Sequence, residues 1–334
     1  QTFTATGAIS AGNPVGFNAN MTISAMQQQV GAAVALGSGA GAEDRYPGCV
    51  PIAYDTALNK FLHVFYGTDN KIFARVGTVS GFGISFGTAV DSGRVAGYTE
   101  RGMLHLIYDD NAGKFVISYT KSNNKSYAAT ITISGTTPSF GTEIQVYVPG
   151  GDETDYQTEM QYDSNANKVL FISGGSQSGC FARTGTISGT NLTLGAVLSL
   201  GSTAVYPLPG SLTFDTNANK FIWVYRTGSA NGTPSKVRVL TISGTSVTVG
   251  AEATLCTNTN YRVPFVIFDP SINKGVALYT VGYVAKFKLL TISGTSVVQG
   301  TETTIPIATQ VSIGSDPYTF MTACVNPDTA GLIL

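Results

Sequence analysis

Hydrophobic residues in this chain come in short alternating runs. Across 103–146 they read MLHLIYD, KFVISYT, YAATITISG and PSFGTEIQV, each bounded by Gly, Asn, Asp, Ser or Pro. Alternation with a period of two predicts half-buried β-strands, and the bounding residues predict tight turns. No stretch holds a 3.6-residue apolar period, so almost no helix is expected.

The four runs recur. A turn segment reads YDTALNK at 54–60, YDDNAGK at 108–114, YDSNANK at 162–168, FDTNANK at 214–220 and FDPSINK at 268–274. Its leading aromatics are Tyr54, Tyr108, Tyr162, Phe214 and Phe268, spaced by 54, 54, 52 and 54 residues. A weaker copy, VNPDTAG, stands at 325–331. A second segment follows each full copy: VGTVSG at 76–81, ITISG at 131–135, GTISG at 185–189, and LTISG at 240–244 and 290–294. A last run then passes a Gly, as in ISFGTAV, PSFGTEIQV, LTLGAVL, VTVGAEATL and VVQGTETTI. Four strands per unit at a period of 50-odd residues match the blades of a β-propeller.

The two ends of the chain complement each other. The last unit reaches Leu334 within its expected second strand, and its third and fourth strands are sought at the N-terminus. NMTISAMQQQVGAAVAL at 20–36 aligns with LLTISGTSVVQGTETTI at 289–305 and keeps Thr-Ile-Ser and the later Gly. The expected fold is all-β: a six-bladed propeller of four-stranded antiparallel blades, the last closed by N-terminal strands. The units fall at about 41–95, 96–149, 150–203, 204–256, 257–310, and 311–334 joined with 14–40. Residues 1–13 form an extension. Closure of this kind removes two exposed sheet edges.

The repeated Asp-x-x-x-Asn-Lys turn has two readings. It resembles a calcium loop or the Asp-box of sialidases. Alternatively, Asp caps its own turn and Asn or Gly takes a left-handed position before Lys. The structural reading is preferred, because the turn occurs in every unit and lacks the Ser/Thr, Gly and Trp pattern of the Asp-box; Trp223 is the only Trp. The Gly of T-I-S-G is expected at a hairpin position with positive φ.

The segments between units differ from one another. They read GAEDRYPG at 41–48, GYTERG at 97–102, GGDETDYQTE at 150–159, AVYPLPG at 204–210, TNTNYRVP at 257–264 and GSDPYTF at 314–320. In a propeller they gather on one face, around the mouth of the channel. Each holds one Tyr: Tyr46, Tyr98, Tyr156, Tyr206, Tyr261 and Tyr318. Arg45, Arg101, Arg262 and Asp155 stand with them. A ring of aromatic and forked hydrogen-bonding groups suits a sugar or a protein epitope. The competing reading is that Tyr packs the neck and the charges solvate the loops.

Composition narrows the partners. Only 12% of residues are charged and the net charge is −1, so nothing favours nucleic acid. No apolar run reaches the length of a membrane span, and no insertion is expected. The sequence begins at Gln1, as expected of a processed or recombinant chain. Cys49, Cys180, Cys256 and Cys324 show no metal-binding spacing and read as buried thiols. His63 and His105 are the only histidines. No cofactor or metal site is expected.

The YDxxxNK…TISGTSxxxGxE pattern, together with TATGAISAGNPVGFNANMTIS at 4–24, resembles repeats in virion proteins of tailed bacteriophages, especially tail fibres and surface-exposed structural proteins. The resemblance covers nearly the whole chain. It implies a virion surface location and contact with host-surface glycan or other virion proteins, and it carries no catalytic motif. The expected function is therefore non-catalytic binding through the Tyr-rich face. One alternative is a sialidase-like glycoside hydrolase, with Arg45, Arg101 and Arg262 clamping a carboxylate and Glu100, Glu153 or Asp155 with Tyr156 as reacting groups. Another is a purely structural virion component.

Overall fold

The computed structural model describes residues 4–5, 15–17, 22–25, 51–67, 70–81, 83–97, 104–123, 125–146, 157–175, 179–201, 210–228, 232–259, 264–281, 284–305, 324–326 and 331–333. Among them there is no helix. Five antiparallel sheets follow one another along the chain. The first contains Ile52–Asp55, Lys60–Tyr66, Lys71–Ser80 and Gly83–Phe86, with Val90–Val95 as a continuation of the outer strand. The second runs from His105–Asp109 to Ile144–Gln145, the third from Gln157–Asp163 to Leu198–Gly201, the fourth from Leu212–Asp215 to Ala253–Thr259, and the fifth from Phe265–Asp269 to Thr303–Thr304.

Each outer strand is broken at the Gly of the third repeated segment. Both halves pair with the strand before it, and the Gly amide donates to that strand's carbonyl: Gly87 to Val76, Gly141 to Thr130, Gly195 to Thr184, Gly250 to Val239 and Gly300 to Leu289.

Consecutive sheets pack face to face. Their second strands alternate between two neighbours, as period-two side chains must. In the fourth sheet Phe221, Trp223 and Tyr225 pack against Leu170 and Ile172 of the third, while Ile222 and Val224 pack against Val266 and Ala277 of the fifth. The first and second sheets share a core around Leu62, Val64, Phe115 and Ile117, and the second and third one around Val116, Met160 and Phe171. Each such side chain contributes about 1.5–3 kcal/mol by leaving water. Five sheets stacked in this way, inner strand beside inner strand, are blades of a β-propeller.

The turn chemistry is as the sequence predicts. Asp55, Asp163 and Asp215 each accept two backbone N–H bonds inside their own turn, and Asp109 and Asp269 accept one each. Asn59, Gly113, Asn167, Asn219 and Asn273 before the Lys have φ of 51° to 61°, and Gly81, Gly135, Gly189, Gly244 and Gly294 have φ of 57° to 62°. The turns belong to the fold.

Two expectations are corrected. The sequence pattern places residues 157–159 in an inter-unit loop, but Gln157–Asp163 is an inner strand. The pattern likewise places residues 257–259 in a loop, but they complete the outer strand Ala253–Thr259. Both are polar runs, QTE and TNT, whose pairing is set by a partner strand rather than by their own apolar pattern.

At the chain ends, Thr22–Ala25 pairs antiparallel with Val15–Phe17 and parallel with Thr4–Ala5. Cys324–Asn326 forms a hairpin with Gly331–Ile333.

Candidate functional site

The residues singled out in the sequence, Arg45, Tyr46, Tyr98, Arg101, Asp155, Tyr156, Tyr206, Tyr261, Arg262 and Tyr318, all lie outside the described residues, as do Asp44, Glu100, Asp152 and Glu153. What is described at this end of the blades is the starts of the inner strands and the ends of the second strands.

The position three residues before each leading aromatic is occupied in turn by Pro51, His105, Glu159, Ser211 and Phe265. The turn end of the same strands repeats its chemistry in every blade. This end does not: a polar row, His-Glu-Ser, crosses three consecutive blades between apolar neighbours.

Glu159 is 0% exposed. Neither of its oxygens completes a hydrogen bond. The amides of Gly210 and Met160 lie close enough to favour the charged form, but burial outweighs them and pushes the carboxyl well above its usual range. The Nε2 of His105 stands 3.8 Å from Oε1, beyond hydrogen-bonding reach. The Nδ1 of His105 accepts the Met160 N–H at 3.1 Å. The neutral ring therefore carries its proton on Nε2, the atom that faces Glu159. Burial lowers the His105 pKa to about 4, so the neutral ring is the form present near pH 7. With Nε2 protonated, His105 is a donor at this site and not a metal ligand. Ser211 is also fully buried, and its hydroxyl has no partner.

The same end of the blades holds further buried hydroxyls without partners: Ser118 and Thr280 late in second strands and Ser126 at the start of a third strand. Others there are paired, such as Thr158 with Ser173 at 3.0 Å. A cleft of about 310 Å³ opens between the fourth and fifth blades beside Cys256, Val281, Lys288 and Glu302. Its polar groups are already engaged: Lys288 donates to the Leu255 carbonyl and Glu302 accepts from Tyr279 and Lys286. Among the described residues no cluster of three or more His, Cys, Asp or Glu could hold a metal ion. Cys180 and Cys256 are buried thiols outside any disulfide, as expected.

Neither His105 nor Glu159 carries a local signature in the sequence. The histidine has no companion nearby in the chain, and Glu159 ends a polar run that resembles a loop. Aligning the units on their leading aromatics would have placed both at one register position.

No protein-family model matches the chain, and no curated protein matches it in sequence. Solved structures do match in shape. A proposed 6-phosphogluconolactonase from Bacteroides uniformis superposes with a TM-score of 0.59 at 10% identity, over 85% of this chain and 76% of that one. A second, from Bacteroides fragilis, gives 0.56 at 7% identity over 84% and 74%. A protein from Lactobacillus plantarum gives 0.50 at 10% identity over 86% and 90%. At such identities the likeness establishes the propeller fold alone.

Proposed function

We propose that the chain is a non-catalytic surface protein of a bacteriophage virion, a tail-fibre, adhesin or decoration component, that binds host glycan through the loop end of a six-bladed ring. In this reading the sixth blade unites residues 311–334 with 14–40. The observation that carries the binding role is the polar row His105–Glu159–Ser211 with the partnerless hydroxyls around it. A buried polar group without a partner costs about 1–3 kcal/mol. A fold that keeps several at one end keeps that end for water or a hydrogen-bonding ligand. Glycans supply hydroxyls to polar groups at that end and flat C–H faces to Tyr rings. The likeness of the repeat to phage surface proteins supplies the setting.

The test is binding of the purified protein to host cells and to a glycan array, comparing the wild type with the combined Tyr46→Ala, Tyr156→Ala and Tyr261→Ala variant. Loss of about tenfold or more in affinity with an unchanged unfolding temperature is expected. Unaltered binding would remove this face from consideration. Capture by a virion protein but by no glycan would replace the ligand, and sugar release from a polysaccharide panel would replace binding with hydrolysis.

A further inference from the structure

Two neighbouring interfaces share one plan and differ in their cation. Between the third and fourth blades, Arg238 stands six residues before the hairpin Gly244. It donates to the Leu200 carbonyl of the third blade at 3.1 Å and pairs with Glu252 of its own blade at 3.2 Å. A forked guanidinium can span two such acceptors. Between the fourth and fifth blades the corresponding positions hold Leu255, Lys288 and Glu302. Lys288 donates to the Leu255 carbonyl at 2.6 Å, but its second bond goes to Gln299 Oε1 at 3.2 Å and not to Glu302. The compact ammonium leaves open what the guanidinium bridges. The cleft of about 310 Å³ lies at this interface, with Lys288 and Glu302 in its lining.

The polar groups of the cleft are held in place and keep capacity to spare. An ammonium has three N–H donors, and Lys288 uses two. Each Glu302 oxygen accepts one bond, from Tyr279 or from Lys286, and a carboxylate oxygen has room for two. Thr254 Oγ1 accepts from Lys236 Nζ at 2.9 Å, so its own hydrogen is left to donate. Thr254, Thr257 and Glu302 are exposed, Leu255 and Cys256 are buried, and Val281 is half-buried beside them. Side chains already fixed by their neighbours lose little freedom when a ligand binds.

Charge and size narrow the ligand. One ammonium and one carboxylate line the cleft, so a charged group on the ligand would meet its like as well as its opposite. A hydroxyl suits both, since it donates to the carboxylate and accepts from the ammonium. The volume lies at the small end of ligand pockets, which span about 300–1,000 Å³. We infer that this cleft takes one neutral sugar ring, its hydroxyls bonded to Lys288, Glu302 and Thr254 and its C–H face on Val281. The inference rests on the glycan-binding reading and gives it a subsite between the fourth and fifth blades.

The test is a methyl-NMR titration of the full chain with the methyl glycosides of glucose, galactose, mannose and rhamnose, and with those of glucuronic acid and glucosamine as charged arms. Saturable shifts at the Val281, Thr254 and Thr257 methyls are expected for at least one neutral sugar, with a Kd of about 1 mM, and weaker binding for both charged ones. Lys288→Arg should weaken binding about tenfold or more at an unchanged unfolding temperature, because Arg238 keeps the inter-blade bond at the same register and spans the gap. Thr257→Trp fills the cleft from the other wall, should have the same effect, and decides the matter if the arginine variant does not fold. Binding undiminished in these variants would overturn the cleft. Shifts confined to other residues, or binding to a glycan array with no shift at the cleft, would overturn the cleft and leave glycan binding standing. Tighter binding of a charged sugar would overturn the neutral class. Absence of binding both here and on the array would overturn the subsite and the glycan reading together.

Discussion

The two ends of the blades treat polar groups in opposite ways. At the turn end every described blade repeats one solution: a buried Asp caps its turn, a left-handed Asn or Gly precedes Lys, and a hairpin Gly closes the next strand pair. The Lys itself ties neighbours together where it reaches across, as Lys60 does to the Gly135 carbonyl and Lys220 to Gly294 at 2.6 Å. At the loop end the residues change from blade to blade, and Ser118, Ser126, Glu159, Ser211 and Thr280 are buried with polar atoms that have no partner. The repeated end thus satisfies its polar groups, and the unrepeated end leaves several without partners.

The sharpest way to break this comparison is at the repeated end. Gly195→Val places a side chain 2.0 Å from the Thr245 carbonyl oxygen and 2.2 Å from Thr184 Oγ1, which itself donates to that carbonyl at 2.9 Å. Backbone of the next blade cannot yield cheaply, so a loss of about 3 kcal/mol or more is expected. Denaturant unfolding measures it. A midpoint near that of the wild type would mean that the hairpin-on-glycine contact does not hold the blades together.

A smaller effect of opposite sign is expected at the unrepeated end. Glu159 has its pKa raised by burial, so in the window above its ordinary value of 4.5 the folded chain holds a proton that the unfolded chain has released. Stability from this group therefore falls as pH rises. Glu159→Gln keeps the shape and removes the titration, and should stabilise by on the order of 1–3 kcal/mol at pH 8, with the gain shrinking towards pH 4.5. The histidines act from the other side. His63 and His105 have pKa values lowered from 6.5 to about 4, so their contribution is whole above 6.5 and is lost as pH falls towards 4. Unfolding temperatures of both proteins from pH 4 to 9 read the two slopes. A Gln variant less stable than the wild type at pH 8 would show that Glu159 is ionised and paired, and the contrast between the ends would fail.

What could be read in the sequence follows the same division. Turn chemistry is local, so the Asp caps, the left-handed Asn residues and the hairpin Gly positions were legible from a few residues each. The four-strand unit was legible because period-two patterning and turn spacing recur. Contacts made across blades were not. The outer-strand Gly looks like a turn signal, yet its role is to admit a carbonyl about fifty residues further on. Glu159 and His105 carry no local signature, since their burial and facing geometry arise only when inner strands of successive blades lie side by side.

The finest test of the comparison lies in a polar contact at the loop end that does repeat. Tyr119, Tyr225 and Tyr279 stand five residues after the turn Lys, and each donates its hydroxyl to the Glu two residues after the outer-strand Gly: Glu143, Glu252 and Glu302. The first and third blades lack both members, with Phe65 and Ala89 in one and Ser173 and Val197 in the other. Tyr and Glu thus come and go together, as partners should when an unpaired member would cost more than the pair contributes. In the fourth blade Arg238 and Lys236 flank Glu252 at 3.2 and 3.4 Å, and with the Tyr225 hydroxyl they hold its carboxyl below the ordinary range. Glu252 is about a third exposed, so solvent screens much of this. A double-mutant cycle of Tyr225→Phe and Glu252→Gln should give a coupling of about 0.5–1 kcal/mol. A coupling of zero would make the co-occurrence an accident of how the blades diverged. A measurable one would show that the loop end satisfies the polar groups it repeats, so that the contrast between the ends rests on the unrepeated Glu159 and Ser211 and the hydroxyls around them.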